Sequence, residues 1–341
     1  MHLLKRDIQE LREQSEALLN GDWLKMSNVE QRQLIKSFCS GYMLPALDVV
    51  NPTTYRAQVN SDCQLFSHVR RLLAPPPEVV KTAGRLNRAG EATLYLAGTA
   101  FSAVAETRAP FGSMVSVLAC RLRPDAPPLC LAPIAMNRAK GSRRIGELSS
   151  LHKSGPLGQE YFASELRKQD CLDQWKLQDE TLGHILITDM DDANQQELYE
   201  LTNGIRDHLY DSWSGYNGVY YPSIMVERSS PNIALDESRW GDIQPLEVWV
   251  LEVNKELRNL PSGMFMMTKS LLSFGVVEED GQITYKKTEK TLLTAFHDFK
   301  QKHGLIPRRD GMTQLLSKPF FRHRVSYDAN PNRRVFDFYP S

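Results

Sequence analysis

Apolar positions in the first forty residues recur as they would on helices. Leu3, Leu4, Ile8, Leu11, Leu18 and Leu19 sit among charges at helical spacing, and Asn20-Gly21 supplies a stop. A second helix is expected from Ser27, an N-cap residue followed three positions later by Glu30, through Cys39. From Tyr42 the texture changes. Val49, Val50, Tyr55 and Val59 lie among Asn, Pro and Thr, which predicts a strand bounded by turns, and Ala74-Pro75-Pro76-Pro77 reads as a rigid loop. Thr93 to Ala97, TLYLA, is a short apolar strand; Thr99 then caps a helix reaching about Thr107, and Ser113 to Leu122 forms the next strand. This succession predicts a mixture of α and β structure rather than a helical bundle.

Further along, residues 137 to 154 are rich in Arg, Lys, Ser and Gly and read as a basic loop. Helices are expected near Leu157 to Lys168 and from Asn194 to Tyr210, and strands over Gly218 to Pro222, Asn232 to Leu235 and Leu246 to Val253. A Met264 to Met267 cluster, a turn at Asp280-Gly281 and a helix from Lys287 to His303 follow, and no repeat period is visible.

Composition narrows the function classes. Lys plus Arg and Asp plus Glu both total 41, so no global basic field exists to hold nucleic acid. The local basic groups Arg138, Lys140, Arg143, Arg144, Arg322 and Arg324 read as solvated loops. Five cysteines without a CxxC pair argue against a zinc knot or a disulfide framework, so no metal is expected. The amino terminus is charged by Lys5, and no stretch approaches the roughly 20 apolar residues of a membrane span. A cytoplasmic protein is the expectation.

The sequence has no GxGxxG after a strand, no GxxxxGK[ST], no HExxH and no GxSxG, which weighs against the dinucleotide oxidoreductases, P-loop enzymes, zincins and α/β-hydrolases. What remains is a set of polar residues in strands and turns. Arg85 and Asn87 lie in GRLNRAG just before TLYLA. A guanidinium at such a turn presents a planar fork suited to a diphosphate, the plainer reading being a solvated loop residue. Glu106 follows Phe101, Val104 and Ala105, one apolar helix face, where an acidic group is costly unless paired or used. Ser223 follows a strand and a proline and is by itself an ordinary turn residue.

Together TTYRA around Arg56, GRLNRAGEATLYLAGTAFSAVAETR from Gly84 to Arg108 and GVYYPSIMVERSSPNIAL from Gly218 to Leu235 resemble the RES family, the toxin component of bacterial toxin and antitoxin pairs. The resemblance spans roughly Pro52 to Val253. It implies an ADP-ribosyltransferase-like split, antiparallel-rich core over residues 43 to 255, with a helical extension over 1 to 42 and a mixed α/β extension over 256 to 341. It implies NAD as substrate, cleaved between nicotinamide and ribose with inorganic phosphate or water as acceptor, and a cognate antitoxin as partner. Arg56 and Arg85 match the motif arginines expected to bind NAD phosphates and ribose, Tyr95 the tyrosine on the nicotinamide side, and Glu106 and Ser223 the motif glutamate and serine. Asn87 and Asn232 are expected to help line the same pocket.

Chemically, the reaction passes through an oxocarbenium-like transition state, and the leaving group departs neutral, so no strong acid is needed. A carboxylate at the ribose suffices, the role given to Glu106. Two other readings stand beside this one. A protein-modifying ADP-ribosyltransferase would share the pocket, and a nonenzymatic interaction protein would use the amino-terminal helices and the methionine cluster as binding surfaces.

Overall fold

A computed structural model of the chain describes residues 5–42, 47–49, 53–61, 64–110, 112–135, 164, 166–188, 194–212, 215–223, 231–257, 266–286, 321–327 and 334–340. In chain order the principal elements are α1 (Ile8–Leu19), α2 (Asn28–Cys39), β1 (Leu47–Val49), β2 (Thr53–Val59), β3 (Leu94–Ala97), α3 (Ala100–Glu106), β4 (Met114–Leu122), β5 (Leu129–Pro133), α4 (Leu172–Ile187), α5 (Gln195–Ser212), β6 (Gly218–Pro222), β7 (Pro231–Leu235), β8 (Ile243–Leu257), β9 (Met266–Val277), β10 (Ile283–Lys286), β11 (Phe321–Tyr327) and β12 (Arg334–Pro340). The fold is α+β, as the alternation of patterns predicts. It divides into two compact units, Met1–Pro52 with Ala74–Gly98 and Leu122–Ile243, and Thr53–Leu73 with Thr99–Arg121 and Gln244–Ser341. This division is spatial and does not follow the linear one at residues 42 and 255.

In the first unit the strand order is β1-β5-β6-β7-β3. β5 and β6 run parallel and the other pairs antiparallel. The amino-terminal helices begin where local chemistry says they should. Asp7 accepts from the Gln9 amide at 2.8 Å to cap α1. Ser27 and Glu30 form a reciprocal capping box for α2, with the Ser27 amide donating to Glu30 at 2.7 Å. Leu11, Leu18, Ile35 and Phe38 on these helices join Leu182, Leu186, Leu198, Leu201 and Ile205 of α4 and α5, and Val219, Tyr221 and Ala234 of the sheet, in one core.

The hydrophobic pattern did not predict α4, because four of the nine residues it buries are polar. Gln174, Gln178, Asp179 and Thr181 are all buried. Each has a partner that offsets its desolvation. The Gln178 amide donates to the Phe38 and Ser40 carbonyls at 2.6 and 3.2 Å, closing the end of α2. Tyr42 donates to Asp179 at 2.8 Å, the Ser15 and Thr181 hydroxyls meet at 2.7 Å, and the Arg6 amide donates to Gln174 at 3.0 Å. Burial, reinforced by the neighbouring Asp179 carboxylate, pushes the Tyr42 hydroxyl well above its usual range.

In the second unit the order is β2-β4-β8-β9-β10, with β11 and β12 as a separate antiparallel pair. Tyr55, Ala57 and Val59 of β2, Val115 and Val117 of β4 and Leu251 and Val253 of β8 form one apolar face, and α3 lays Ala100, Phe101 and Val104 on it. β5 and β9 are strands the sequence pattern did not predict: β5 is short and ends on a proline, and Met266 and Met267, assigned only to an apolar cluster, open β9. The expected basic loop at 137–154, the helix at 287–303 and most of the helix at 157–168 lie outside the described residues.

Close approach forces one glycine. A Cβ on Gly218 would press into the Ala234 carbonyl oxygen and lie 3.1 Å from Leu235 Cα. Gly218→Ala is therefore expected to destabilise the first unit by about 1–3 kcal/mol or more through backbone displacement. Ser27→Ala, which removes only a cap, should cost about 1 kcal/mol. Thermal unfolding of the two variants beside wild type checks the order, with Gly218→Ala melting lower.

Candidate functional site

The motif turn in the first unit is built by an α5 helix face that reads its backbone. Thr202 Oγ1 donates to the Arg85 carbonyl at 2.5 Å, Asn203 Nδ2 to the Gly84 and Asn87 carbonyls at 3.1 Å each, and Arg206 Nη1 to the Leu86 carbonyl at 2.9 Å. Each of the four carbonyls from Gly84 to Asn87 thus accepts from a helix side chain. The three donors, spaced on one face of α5, replace the strand or helix partners that a turn lacks. From below, the Tyr95 hydroxyl on β3 accepts from the Leu86 amide and donates to Asn87 Oδ1, both at 2.8 Å. Gly84 is needed because a Cβ there would run into Asn87 Oδ1 and lie 3.3 Å from the Tyr95 oxygen.

This architecture gives three of the expected site residues specific local tasks. Asn87 is 6% exposed, and its Nδ2 donates to the Arg88 and Glu91 carbonyls at 3.0 and 3.1 Å, so its side chain holds the turn. The Tyr95 hydroxyl is buried in the same network, and burial raises it far above the usual phenol range against the downward pull of the Leu86 amide, Arg206 and Arg85. Arg85 is 8% exposed and turns inward. Its Nη1 donates to the Leu186 carbonyl at 2.7 Å and the Ile185 carbonyl at 3.5 Å, and its Nη2 to Thr188 at 3.0 Å. The guanidinium thereby caps the carboxyl end of α4, where a cation also meets the negative end of the helix dipole. Its carbon stands 5.8 Å from the Tyr199 ring centre. The expectation of a fork presented to a diphosphate is corrected to that extent: in this structure the fork is aimed at helix carbonyls, a long-range partner that a turn motif cannot reveal.

Around the turn, Arg88 clasps Asp207 with both Nη atoms, and Arg206 reaches Glu91 at 2.7 Å and Asp207 at 3.1 Å. Burial works against the Asp207 carboxylate, but the Arg88 and Arg206 contacts outweigh it and hold it below the usual carboxylate range; Glu91 is lowered in the same way. Carboxylates held low in the folded chain add stability above their unfolded pKa and lose it as pH falls through the folded value.

Asn232 and Ser223 belong to the sheet of this unit. Asn232 on β7 sits between Ala97 of β3 and Tyr221 of β6 in register, 5% exposed. Tyr95 pairs with Ala234, two residues along the same strand, so Tyr95 and Asn232 share one face. Ser223 is fully buried directly after β6, at the strand ends where β7 begins opposite it. The structure brings Tyr95 and Asn232 onto one face and sets Ser223 at that end of the sheet.

The second unit carries Arg56 and Glu106. Arg56 faces Leu118 across β2 and β4, while Tyr55, Ala57 and Val59 face α3. Alternation therefore points Arg56 to the side of the strands away from α3, beside Cys120, whose thiol burial pushes up to about 12 against the pull of Arg56. Glu106 is the last residue of α3 and half-buried. The helix is started by Thr99, which accepts from the Ser102 amide at 3.1 Å, and ended by Thr107, whose hydroxyl donates to the Val104 carbonyl at 2.6 Å. A carboxylate at a helix carboxyl end opposes the dipole by about 0.3–1 kcal/mol. The helix dipole does not account for an acid there.

Residues that the sequence reading missed are Thr202, Asn203 and Arg206, whose signal was a run of polar groups on the inward side of an otherwise amphipathic helix, and Glu247. Glu247 is 2% exposed on β8 and accepts from the Trp249 indole at 3.0 Å. It also helps burial raise the nearby Tyr55 hydroxyl to about 12. Among the described residues no group of three or more His, Cys, Asp or Glu is placed to hold a metal, and no helix is long and apolar enough to cross a membrane. No protein-family model matches the chain, and no curated protein is significantly similar to it.

Asn203→Ala removes the amide group whose two protons are shared among the Gly84, Asn87 and Tyr199 carbonyls, of which Asn87 keeps the Gly84 amide. It should destabilise the chain by about 2–3 kcal/mol, against about 1 kcal/mol for Thr202→Val, which unpairs one carbonyl. Chemical denaturation of both variants measures the difference, and equal losses would contradict the assignment of Asn203 as the main clamp.

Proposed function

We propose that the chain is a RES-type enzyme with an ADP-ribosyltransferase-like core that cleaves the bond between nicotinamide and ribose in NAD and passes the ADP-ribosyl group to inorganic phosphate or water. The observation that carries the reading is Glu106, a half-buried carboxylate placed at the unfavourable end of a short, well-capped helix. The order of motifs from Arg56 through Glu106 to Ser223 supports the same reading.

In the reaction the ribose C1′ to nicotinamide nitrogen bond breaks, its electron pair leaves with neutral nicotinamide, and an oxygen of phosphate or water bonds to C1′, water losing its proton to solvent. Glu106 stabilises the positive charge that develops on the ribose and orients its hydroxyls. Arg56 on β2, in the same unit as Glu106, supplies a positive charge for the anionic part of the substrate. Tyr95 acts through the turn it supports.

Glu106→Gln is expected to lower the rate of NAD loss by about 100-fold or more, the scale of removing one preorganised electrostatic group. Because the substitution removes a charge that opposes the helix dipole, its melting temperature should equal or exceed that of wild type. NAD consumption by the purified proteins, with melting curves alongside, tests this. A folded Glu106→Gln protein that consumes NAD at the wild-type rate would remove Glu106 from the chemistry.

A further inference from the structure

α3 has seven residues, and Glu106 is the last of them. A helix this short is marginal by itself, and helix ends are where the backbone frays. A carboxylate that acts from the final turn therefore depends on what closes that turn.

Helices commonly close with a glycine in the left-handed region, which reverses the chain at no steric cost. Here the residue in that region is Arg108, at φ 51°, where an L-residue resists the conformation. Thr107, directly after Glu106, spans the reversal. Its hydroxyl donates to the Val104 carbonyl at 2.6 Å on the helix side and accepts from the Ala109 amide at 3.3 Å on the far side. The Thr107 amide also donates to Val104 and the Arg108 amide to Ala105, both at 3.1 Å, so the end of the helix is tightened to three-residue closure. Val104 and Ala109 are buried in one apolar face with Val115 and Val117 of β4. The hydroxyl thus ties both sides of the reversal to residues that the sheet already fixes.

We infer that Thr107 is a positioning residue for Glu106: by tying Val104 to Ala109 across the reversal, its hydroxyl holds the Glu106 backbone in one place relative to the ribose. This role rests on the proposed NAD chemistry and deepens it by naming what keeps the carboxylate in register. A displacement of about 1 Å at a reacting group costs up to about 100-fold in rate. A helix cap that serves stability alone would instead lower the melting temperature and leave the kcat of the folded enzyme unchanged.

Thr107→Val keeps the branched shape and loses both hydroxyl bonds, whereas Thr107→Ser keeps the bonds. NAD turnover of the two variants and wild type is measured well below their melting temperatures, together with hydrogen exchange at the Ala109 amide. Thr107→Val should lower kcat by about 10-fold or more and leave KM within about 2-fold, while Thr107→Ser stays within about 3-fold of wild type in both. The Ala109 amide should be protected in wild type and in Thr107→Ser. A folded Thr107→Val protein with wild-type kcat, or a Thr107→Ser protein as slow as Thr107→Val, overturns the inference while the NAD reading stands. If Thr107→Val does not fold, the other two proteins decide: an Ala109 amide that exchanges freely in wild type overturns the inference, and a protected amide with full activity in Thr107→Ser supports it. A wild type that protects this amide and leaves NAD intact fails the cleavage reading, and the positioning role falls with it.

Discussion

The first unit depends on the docking of an irregular turn against one face of a helix. Of four successive carbonyls, from Gly84 to Asn87, each accepts from Thr202, Asn203 or Arg206, and Asn87 accepts from the Gly84 amide as well. An unmade hydrogen bond at a buried carbonyl costs about 1–3 kcal/mol, so the set outweighs any single apolar contact nearby. Once the turn is fixed, the rest follows from it. Arg85 is delivered to the end of α4, Tyr95 is locked beneath the turn, and Arg88 meets Asp207 on the outer rim. The rim pairs are partly exposed and contribute little each. The buried carbonyl contacts set the geometry.

Local chemistry was legible in the sequence wherever a few neighbouring residues decide the outcome. The Ser27 and Glu30 capping box, the Thr99 cap and the LYLA strand stand where their patterns put them. What could not be read depends on partners far along the chain. α4 escaped because Gln178 and Asp179 look like surface residues until Phe38, Ser40 and Tyr42 are brought to them. The partners of Arg85 lie about one hundred residues away, so a motif could identify the residue but not where its guanidinium points. The orientation of Arg56 was available in principle, since Tyr55, Ala57 and Val59 form an alternating apolar row that leaves Arg56 on the other side.

The second unit shows the opposite economy. Around α3 the fold keeps two departures from local preference: a carboxylate at the negative helix end and an arginine in the left-handed region two residues later. Both are permitted because Thr99, Thr107 and Ala109 hold the segment firmly. Departures from local preference that sit together, inside a segment otherwise well capped and well packed, are where function is expected to have shaped a sequence.

Whether this chain is an NAD-cleaving enzyme is tested most directly by incubating the purified wild-type protein with NAD and resolving the products by mass spectrometry, with and without inorganic phosphate. The account predicts release of free nicotinamide in amounts matching the NAD lost, with ADP-ribose as the partner product in plain buffer, or its phosphorylated form when phosphate is the acceptor. NAD that stays intact, or that is lost without free nicotinamide, would contradict it.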